Sequence, residues 1–379
     1  MSESSVYRLG MLGGGPGSLI GETHRIAASI AGSFQLVGGA FSSDFSLTQQ
    51  FGQQLQLESH RLYDTVETLI SEELRLPPEQ RMQVVSVVTP NLHHFPMSKA
   101  LVEAGFHVIC EKPMTMSVEE AEALAAIVLK QGVVFALAHT YTGYPMIRQM
   151  RAMVRDGMIG EIRKIDSRYY QDWLNPVLRE GSNREPVWRL DPGVVGRSCC
   201  TADIGVHAFN LVEYVSGLTI DQVLAETHTL TADNGLDVDA SILVRGSNGS
   251  KGVICASQIA TGEENDVSLA LYGQKGALKW SHRSPDSLTF LPEDAPEQTL
   301  TAGQAYLHAE TRAASRLPQG HPEGMYGAMA NIYGGVAQAL DGTGPSDAVP
   351  GAQAGVRGMR FIAAVLASQA SGQVWVPLD

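Results

Sequence analysis

Residues 89–113 read TPNLHHFPMSKALVEAGFHVICEKP, and the alternation of polar breaks with apolar runs in this stretch decides the fold. The segment is entered from Val84–Val88, an unbroken and mostly β-branched run, as a parallel strand buried on both faces requires. That strand stops at Thr89-Pro90-Asn91, so polar groups stand at its carboxyl end. Met97–Glu103 has helical composition and Gly105 supplies the C′ residue. His107–Cys110 forms the next strand and stops at Glu111-Lys112-Pro113. In an open α/β sheet, ligands lie outside the carboxyl ends of the strands.

Outward from this block the same pattern repeats. Leu9–Leu12 and Phe34–Phe41 read as the first two strands, and Leu19–Ala31 between them carries helical apolar spacing. Ser117 with Glu120 makes a capping box; Ala121, Leu124, Ala125, Val128 and Leu129 then recur at helical spacing until Gly132, and Phe135–Ala138 supplies another strand. Strands alternating with helices predict a doubly wound parallel sheet, ending near residue 143.

After that the period changes. Runs at 161–171, 223–230, 237–245, 251–259, 266–272 and 277–280, with Asn248-Gly249 and Gly273–Gly276 as turn signals, predict an antiparallel sheet. Helices are predicted at 145–156, 207–216 and 326–340, and the Pro-, Ser- and Glu-rich region 282–322 as a long excursion. The fold class is α/β: an N-terminal Rossmann domain at 1–143 and, at 144–379, a C-terminal α+β domain on a large, open, mainly antiparallel sheet. An open sheet with one helix-covered face predicts a homodimer or homotetramer through the other.

Composition narrows the partners. Charged residues are 18% of the chain and the formal net charge is −13, which argues against nucleic acid and anionic membrane as partners and for a small molecule. The four cysteines (Cys110, Cys199, Cys200, Cys255) lack metal spacing, so reduced thiols in the cytoplasm and no structural metal are expected. Neither a signal-like leader nor a run long enough for a membrane span is apparent.

Gly13-Gly14-Gly15-Pro16-Gly17-Ser18 follows the first strand and precedes a helix, the context in which glycines let the backbone approach a pyrophosphate at a helix N-terminus. Gly13, Gly15, Pro16, Gly17 and Ser18 are the expected contacts. Ser18 replaces the third glycine of G-x-G-x-x-G, and Gly21 follows three residues later. At the end of the second strand, where NAD enzymes place a carboxylate, stand Phe41, Ser42, Ser43 and then Asp44. Asp44 also suits an N-cap. The cofactor is read as NAD or NADP, leaning to NADP, with Ser42 and Ser43 near the 2′ position.

TPN-x-x-H, then Gly105, then HVICEKP resembles the Gfo/Idh/MocA oxidoreductases, the glucose-fructose oxidoreductase and inositol dehydrogenase family. The resemblance implies a Rossmann domain, a second domain with an open sheet, NAD(H) or NADP(H), and a sugar, polyol or related carbonyl substrate. It puts Thr89, Pro90, Asn91, His94, Glu111 and Lys112 at the nicotinamide, with Lys112 bridging ribose and substrate oxygen. Residues 203–207, Asp-Ile-Gly-Val-His, resemble the family's D-x-G-x-H segment, in which acid and histidine are catalytic. Spacing of i to i+4 places Asp203 and His207 on one helix face, and an imidazole with a carboxylate neighbour is a competent base near neutrality. Asn210 departs from the acid often found there. Substrate contacts are expected from Tyr141, Tyr144, Arg148, Gln171, Trp173, Trp188, Arg189 and His321, since aromatics with hydrogen-bonding groups suit a pyranose. The expected activity is a sugar or cyclitol dehydrogenase. The alternatives are a redox-assisted glycosidase retaining NAD and a dinucleotide-sensing regulator; Lys112, Asp203 and His207 together speak against the last.

Overall fold

The computed structural model describes residues 6–180, 188–229, 235–344 and 347–378. They divide into two compact units, one running to Thr140 and resuming at Met325–Val356, the other comprising Tyr141–Gly324 and the chain from Arg357.

In chain order the first unit begins with β1 (Tyr7–Gly13), α1 (Leu19–Ala31), β2 (Phe34–Ala40), α2 (Phe45–Gln54), α3 (Val66–Arg75), β3 (Val84–Val88), α4 (His94–Glu103), β4 (His107–Cys110), α5 (Val118–Gln131) and β5 (Phe135–Leu137). The strands form one parallel sheet in the order β2-β1-β3-β4-β5. The order reverses beside β1, which makes the gap between the β1 and β3 carboxyl ends the topological switch point. β3 is buried at every residue, as its apolar run requires. Ser117 accepts from Glu120 N at 3.2 Å, Glu120 Oε2 accepts from Met116 N at 3.0 Å, and Gly132 closes α5 at φ 63°, so the capping box forms as read.

The second unit follows with α6 (Pro145–Arg155), β6 (Ile162–Tyr170), α7 (Leu174–Glu180), α8 (Pro192–Val195), α9 (Val206–Ser216), β7 (Ile220–His228), β8 (Asp239–Gly246), β9 (Lys251–Ser257), β10 (Asp266–Gly273), β11 (Gly276–Ser281), β12 (Ser287–Pro292), β13 (Gln298–Thr301) and α10 (Ala309–Ala314). Then come α11 (Met325–Leu340), α12 (Ala352–Ala370) and β14 (Val376–Pro377). The sheet has nine strands in the order β13-β12-β11-β10-β6-β9-β8-β7-β14. Its neighbours are antiparallel except for the parallel pair β6 and β9. The mainly antiparallel sheet read from the sequence is therefore mixed at its centre.

Two further readings are corrected. The region 282–322 is not one long excursion, because β12 and β13 extend the sheet within it; of these strands' residues only Leu288 and Phe290 are buried, too few to announce a strand. The parallel sheet does stop before residue 143, but the first unit takes up the chain again at Met325–Val356. Met329, Ala330, Ile332, Tyr333, Val336 and Ala337 of α11 share a buried cluster with Leu9, Ala27, Ala28, Phe34, Val84, Ile109 and Ala136. Gly351 bridges Ala136, and Leu137 N donates to Pro350 O at 2.8 Å. An apolar helix covers whichever sheet the chain path offers, and periodicity does not say which.

One buried ion pair ties the loops of the first unit together. Glu73, fully buried, accepts from Arg61 Nη2 at 2.8 and 2.6 Å, Arg61 Nε at 3.0 Å, Tyr63 OH at 2.7 Å and Met82 N at 2.7 Å. Removing one partner of a buried pair strands the other charge. Glu73→Ala is expected to cost about 3–5 kcal/mol, read as a lower urea midpoint for the first unit; a loss below about 1 kcal/mol would show that Arg61 finds water instead.

Candidate active site

The glycine loop is shaped by contacts that leave no room for side chains. Gly13, Gly14 and Gly17 adopt φ of 77°, 66° and 77°, a region open to glycine at little cost. A Cβ on Gly15 would lie 2.5 Å from Phe41 O, and one on Gly21 would lie 2.4 Å from Gly14 Cα, whereas Gly17 faces open space. Gly21 thus does the close helix-to-strand packing of the third glycine, which frees Ser18 to cap α1 by accepting from Gly21 N at 3.0 Å. Pro16 is exposed on the loop. Arg25, missed in the sequence, donates to Gly14 O at 2.6 Å and holds the loop from α1. An open glycine and a helix N-terminus at the switch point fit a dinucleotide pyrophosphate.

After β2, Asp44 caps α2 through Ser46 N at 2.8 Å and Ser46 Oγ at 2.7 Å, and these bonds hold its carboxyl below the usual range. Ser42 Oγ accepts from Asp44 N at 3.1 Å, and Ser43 is exposed beside it.

The carboxyl ends of β3 and β4 are clamped together. His94, buried, places Nε2 2.8 Å from Thr89 O and Nδ1 2.7 Å from Pro113 O. Burial pulls its pKa down, and the two carbonyl acceptors oppose that pull. Expected at the nicotinamide, His94 is engaged at both ring nitrogens by the backbone on either side. Pro90 precedes the short 3₁₀ turn Asn91–His93, and Asn91 is buried. Thr89 Oγ1 is buried with no hydrogen-bond partner, the signature of a group awaiting a ligand. Glu111 Oε1 accepts from His24 Nε2 at 3.0 Å and Oε2 from Lys112 N at 3.2 Å. Burial acts to raise the Glu111 pKa, but the His24 bond and charge outweigh it and hold the carboxyl low. His139 is driven down to about 3 by burial first and by the Lys112 charge second, so it stands neutral beside the lysine.

In the second unit, Thr201–Gly205 is a π-helical turn that runs into α9. A regular helix spacing for Asp203 and His207 is therefore replaced by a wider turn, a feature that recurs at functional sites. Buried Asp237 holds its start, accepting from Cys199 N at 2.8 Å, Thr201 N at 2.7 Å and Thr201 Oγ1 at 2.6 Å. Asp203 Oδ2 accepts from buried Gln258 Nε2 at 3.0 Å and lies 3.7 Å from Arg189 Nε. Gln258 is itself fixed by Cys199 Sγ at 3.2 Å.

His207 is buried, with the Tyr141 ring edge-on at 5.1 Å and Tyr169 at 6.1 Å between centroids. Around these rings runs a closed network. Tyr141 OH meets Tyr169 OH at 2.7 Å, Asn265 Oδ1 accepts from Tyr169 OH at 2.7 Å and Gln171 Nε2 at 2.8 Å, and Asn265 Nδ2 donates to Tyr141 OH at 3.0 Å. His282 Nδ1 lies 3.1 Å from Asn265 O and its Nε2 2.9 Å from Tyr144 OH. Burial lowers the His282 pKa, so its neutral ring donates to the carbonyl and accepts from Tyr144. The expected substrate contacts Tyr141, Tyr144 and Gln171 thus have these polar atoms engaged, and Tyr144 is only 1% exposed. Trp188 is exposed with the Arg189 guanidinium 4.5 Å over its ring, and Trp173 is half-buried. Burial lowers the Arg148 pKa, with Tyr214, Glu310, Arg316 and Arg151 as its charged surroundings. His321 is exposed on its own turn, against Pro318 O and Gln319 O. Asn265, His282, Gln258 and Asp237 escape the sequence reading because none lies in a motif; Asn265 precedes a strand and His282 follows one.

A parallel sheet whose first strand ends in an open glycine loop at the switch point defines a dinucleotide-binding Rossmann unit. Residues 7–139 match the oxidoreductase family with an NAD-binding Rossmann fold, and residues 147–279 match the GFO/IDH/MocA C-terminal domain. The chain belongs to the Gfo/Idh/MocA family. It is 32% identical to the uncharacterized oxidoreductase YfiI of Bacillus subtilis, over 98% of this chain and 97% of that protein. It is 25% identical to the levoglucosan dehydrogenase of Pseudarthrobacter phenanthrenivorans, over 80% and 82%. An inositol dehydrogenase homolog from Azotobacter vinelandii complexed with NAD+ superposes with a TM-score of 0.92 at 34% identity, covering 99% of this chain and 98% of that one. The homolog from that organism with NADH and myo-inositol gives 0.89 at 32%, with the same coverage. Among the described residues no helix is long and apolar enough to cross a membrane, and no cluster of His, Cys, Asp and Glu suits a metal ion.

Proposed function

We propose that this protein oxidises a secondary hydroxyl of a sugar or cyclitol, reversibly, with NAD or NADP. The observation that carries the reading is the Asp203–His207 turn, with Asp203 held by Gln258 and the His207 ring enclosed by Tyr141 and Tyr169. The likeness to a homolog complexed with NADH and myo-inositol supports the substrate class. In the forward direction the His207 imidazole takes the hydroxyl proton, and a bound nicotinamide would supply the acceptor for the carbinol hydride, so that a ketone is left. Lys112, as an ammonium, stabilises the alkoxide that develops on that oxygen. Asp203 supports the imidazolium formed at His207. Thr89 Oγ1 and Asn91 supply hydrogen-bonding groups at the β3 end, and Gly13, Gly15, Pro16, Gly17 and Ser18 line the pyrophosphate loop. The substrate ring meets Trp173, Trp188 and Arg189, with buried Tyr141 and Tyr144 and with Gln171 setting the wall behind them.

Lys112→Ala and His207→Ala are each expected to lower kcat by about 10²–10⁴ while NADH still binds, as read by its fluorescence; near-normal kcat in either variant removes that residue's role. The panel of substrates is myo-inositol and common aldohexoses and aldopentoses, each with both cofactors.

With the Asp44 carboxylate turned to the α2 N-terminus, the β2 end offers Ser42 and Ser43 in place of a ribose-binding acid, and NADP is accepted at least as readily as NAD. Ser42→Asp adds a ribose acceptor and a like charge and is expected to swing the ratio of kcat/KM toward NAD. A wild type that strongly prefers NAD would assign the carboxylate's role to Asp44.

The broad sheet of the second unit presents outward-facing Leu243 and Tyr272, 45% and 36% exposed. A second copy covers this face. Light scattering at micromolar concentration should give the mass of a dimer or tetramer, and a monomer's mass counts against the idea.

A further inference from the structure

Behind the Glu111–Lys112 pair runs a buried chain of side chains that no sequence motif announces. His24 of α1, Tyr333 of α11 and Ser86 of β3 are all fully buried. His24 Nε2 lies 3.0 Å from Glu111 Oε1, His24 Nδ1 lies 2.8 Å from Tyr333 OH, and Tyr333 OH lies 2.7 Å from Ser86 Oγ. The imidazole also packs edge-on against the Tyr333 ring at 5.7 Å. The other Glu111 oxygen accepts the backbone N–H of Lys112. One carboxylate thus joins the lysine's backbone to a histidine in the core.

The hydroxyls are arranged so that His24 is satisfied in either protonation state. As a neutral ring it donates from Nε2 to Glu111 and accepts the Tyr333 proton at Nδ1, and Ser86 then donates to Tyr333. As an imidazolium it donates at both nitrogens, and Tyr333 turns its proton to Ser86. A buried chain with every member satisfied fixes geometry, whereas a half-satisfied one is costly. In both states Nε2–H points at Glu111.

We propose that His24, backed by Tyr333 and Ser86, is the positioning residue of this active site: it holds Glu111 in the one orientation that fixes the Lys112 backbone and keeps a negative charge beside the lysine. This rests on the catalytic role given to Lys112 above. The groups facing the Glu111 carboxylate are His24 from α1, Tyr333 from α11, His94 from α4, His139 beyond β5, and Cys110 and Lys112 on its own segment. Burial alone raises a carboxyl pKa, and His24 is the main group that counters it here. Without His24 the carboxyl therefore stays protonated to higher pH, and the acid limb of the rate profile moves upward.

Asn and Gln separate the two ends of the imidazole. Asn sets its amide near the Nδ1 position and loses Glu111; Gln reaches the Nε2 position and keeps a donor to Glu111. The test uses the full chain, with turnover of the fastest alcohol among myo-inositol, D-glucose and D-xylose, NADH affinity by fluorescence, and infrared difference spectra for a protonated carboxyl. His24→Asn is expected to lower kcat by about 10- to 100-fold, raise the acid limb, and show a protonated-carboxyl band near neutral pH that vanishes in His24→Asn/Glu111→Gln. His24→Gln should recover part of the rate, and Tyr333→Phe should shift the limb the same way by less. NADH affinity should stay within about threefold, since none of these residues is in the glycine loop. A wild-type pH profile in both His24→Asn and Tyr333→Phe, or the absence of the carboxyl band, overturns the proposal. Lys112→Ala run in parallel separates the two readings: if it keeps its turnover, the role of Lys112 fails, while the infrared band still judges the coupling of His24 to Glu111. Should His24→Asn not fold, Tyr333→Phe, which deletes a single oxygen, carries the same decision.

Discussion

The contact between Gly14 and Gly21 is the constraint from which the rest of the first unit follows. No side chain fits between these two backbones, so α1 lies close against the end of β1 and its N-terminus reaches the switch point of the sheet. The same closeness sets the depth of His24, three residues farther along the helix, which puts its imidazole within hydrogen-bonding distance of Glu111. A helix held farther out by a methyl group would leave both the glycine loop and the Glu111 carboxylate without their supports. The glycine loop and the β4 strand end are thus set by one packing distance.

The second unit meets a related demand by other means. Its network of Tyr141, Tyr144, Tyr169, Asn265, Gln171 and His282 is closed, each hydroxyl and ring nitrogen meeting a partner within it. A fully satisfied polar cluster in a low-dielectric surround is stiff, so the wall beside His207 cannot rearrange cheaply.

Much of the parallel sheet was legible because its strands are buried on both faces and their composition leaves little choice; β3, five apolar or small residues without a break, is the clearest case. The glycine loop was legible as a loop, but the division of labour between Ser18 and Gly21 was not, because it depends on which backbones touch. Helix α12 was not singled out, and β12 and β13 were hidden in Pro- and Glu-rich sequence, since an edge strand with few inward side chains carries little periodic signal. The Lys112, Asp203 and His207 positions came from a family pattern. Gln258, Asp237, Asn265 and His24 act through contacts between distant parts of the chain, such as Asp203–Gln258 at 55 residues and His24–Tyr333 at 309, and no local spacing encodes such pairings.

The return of α11 to the first unit has a consequence for synthesis on the ribosome. The apolar face formed by Leu9, Ala27, Phe34 and Ile109 is complete once β5 has emerged, yet the helix that covers it begins only at Met325. At about 5–20 residues per second, the intervening chain takes on the order of 10 to 40 s to appear. For that interval one side of the nascent sheet is covered by α1 but not by α11. A chaperone that shields apolar surface has its natural window there, and the cofactor half of this enzyme closes only when nearly the whole polypeptide has been made.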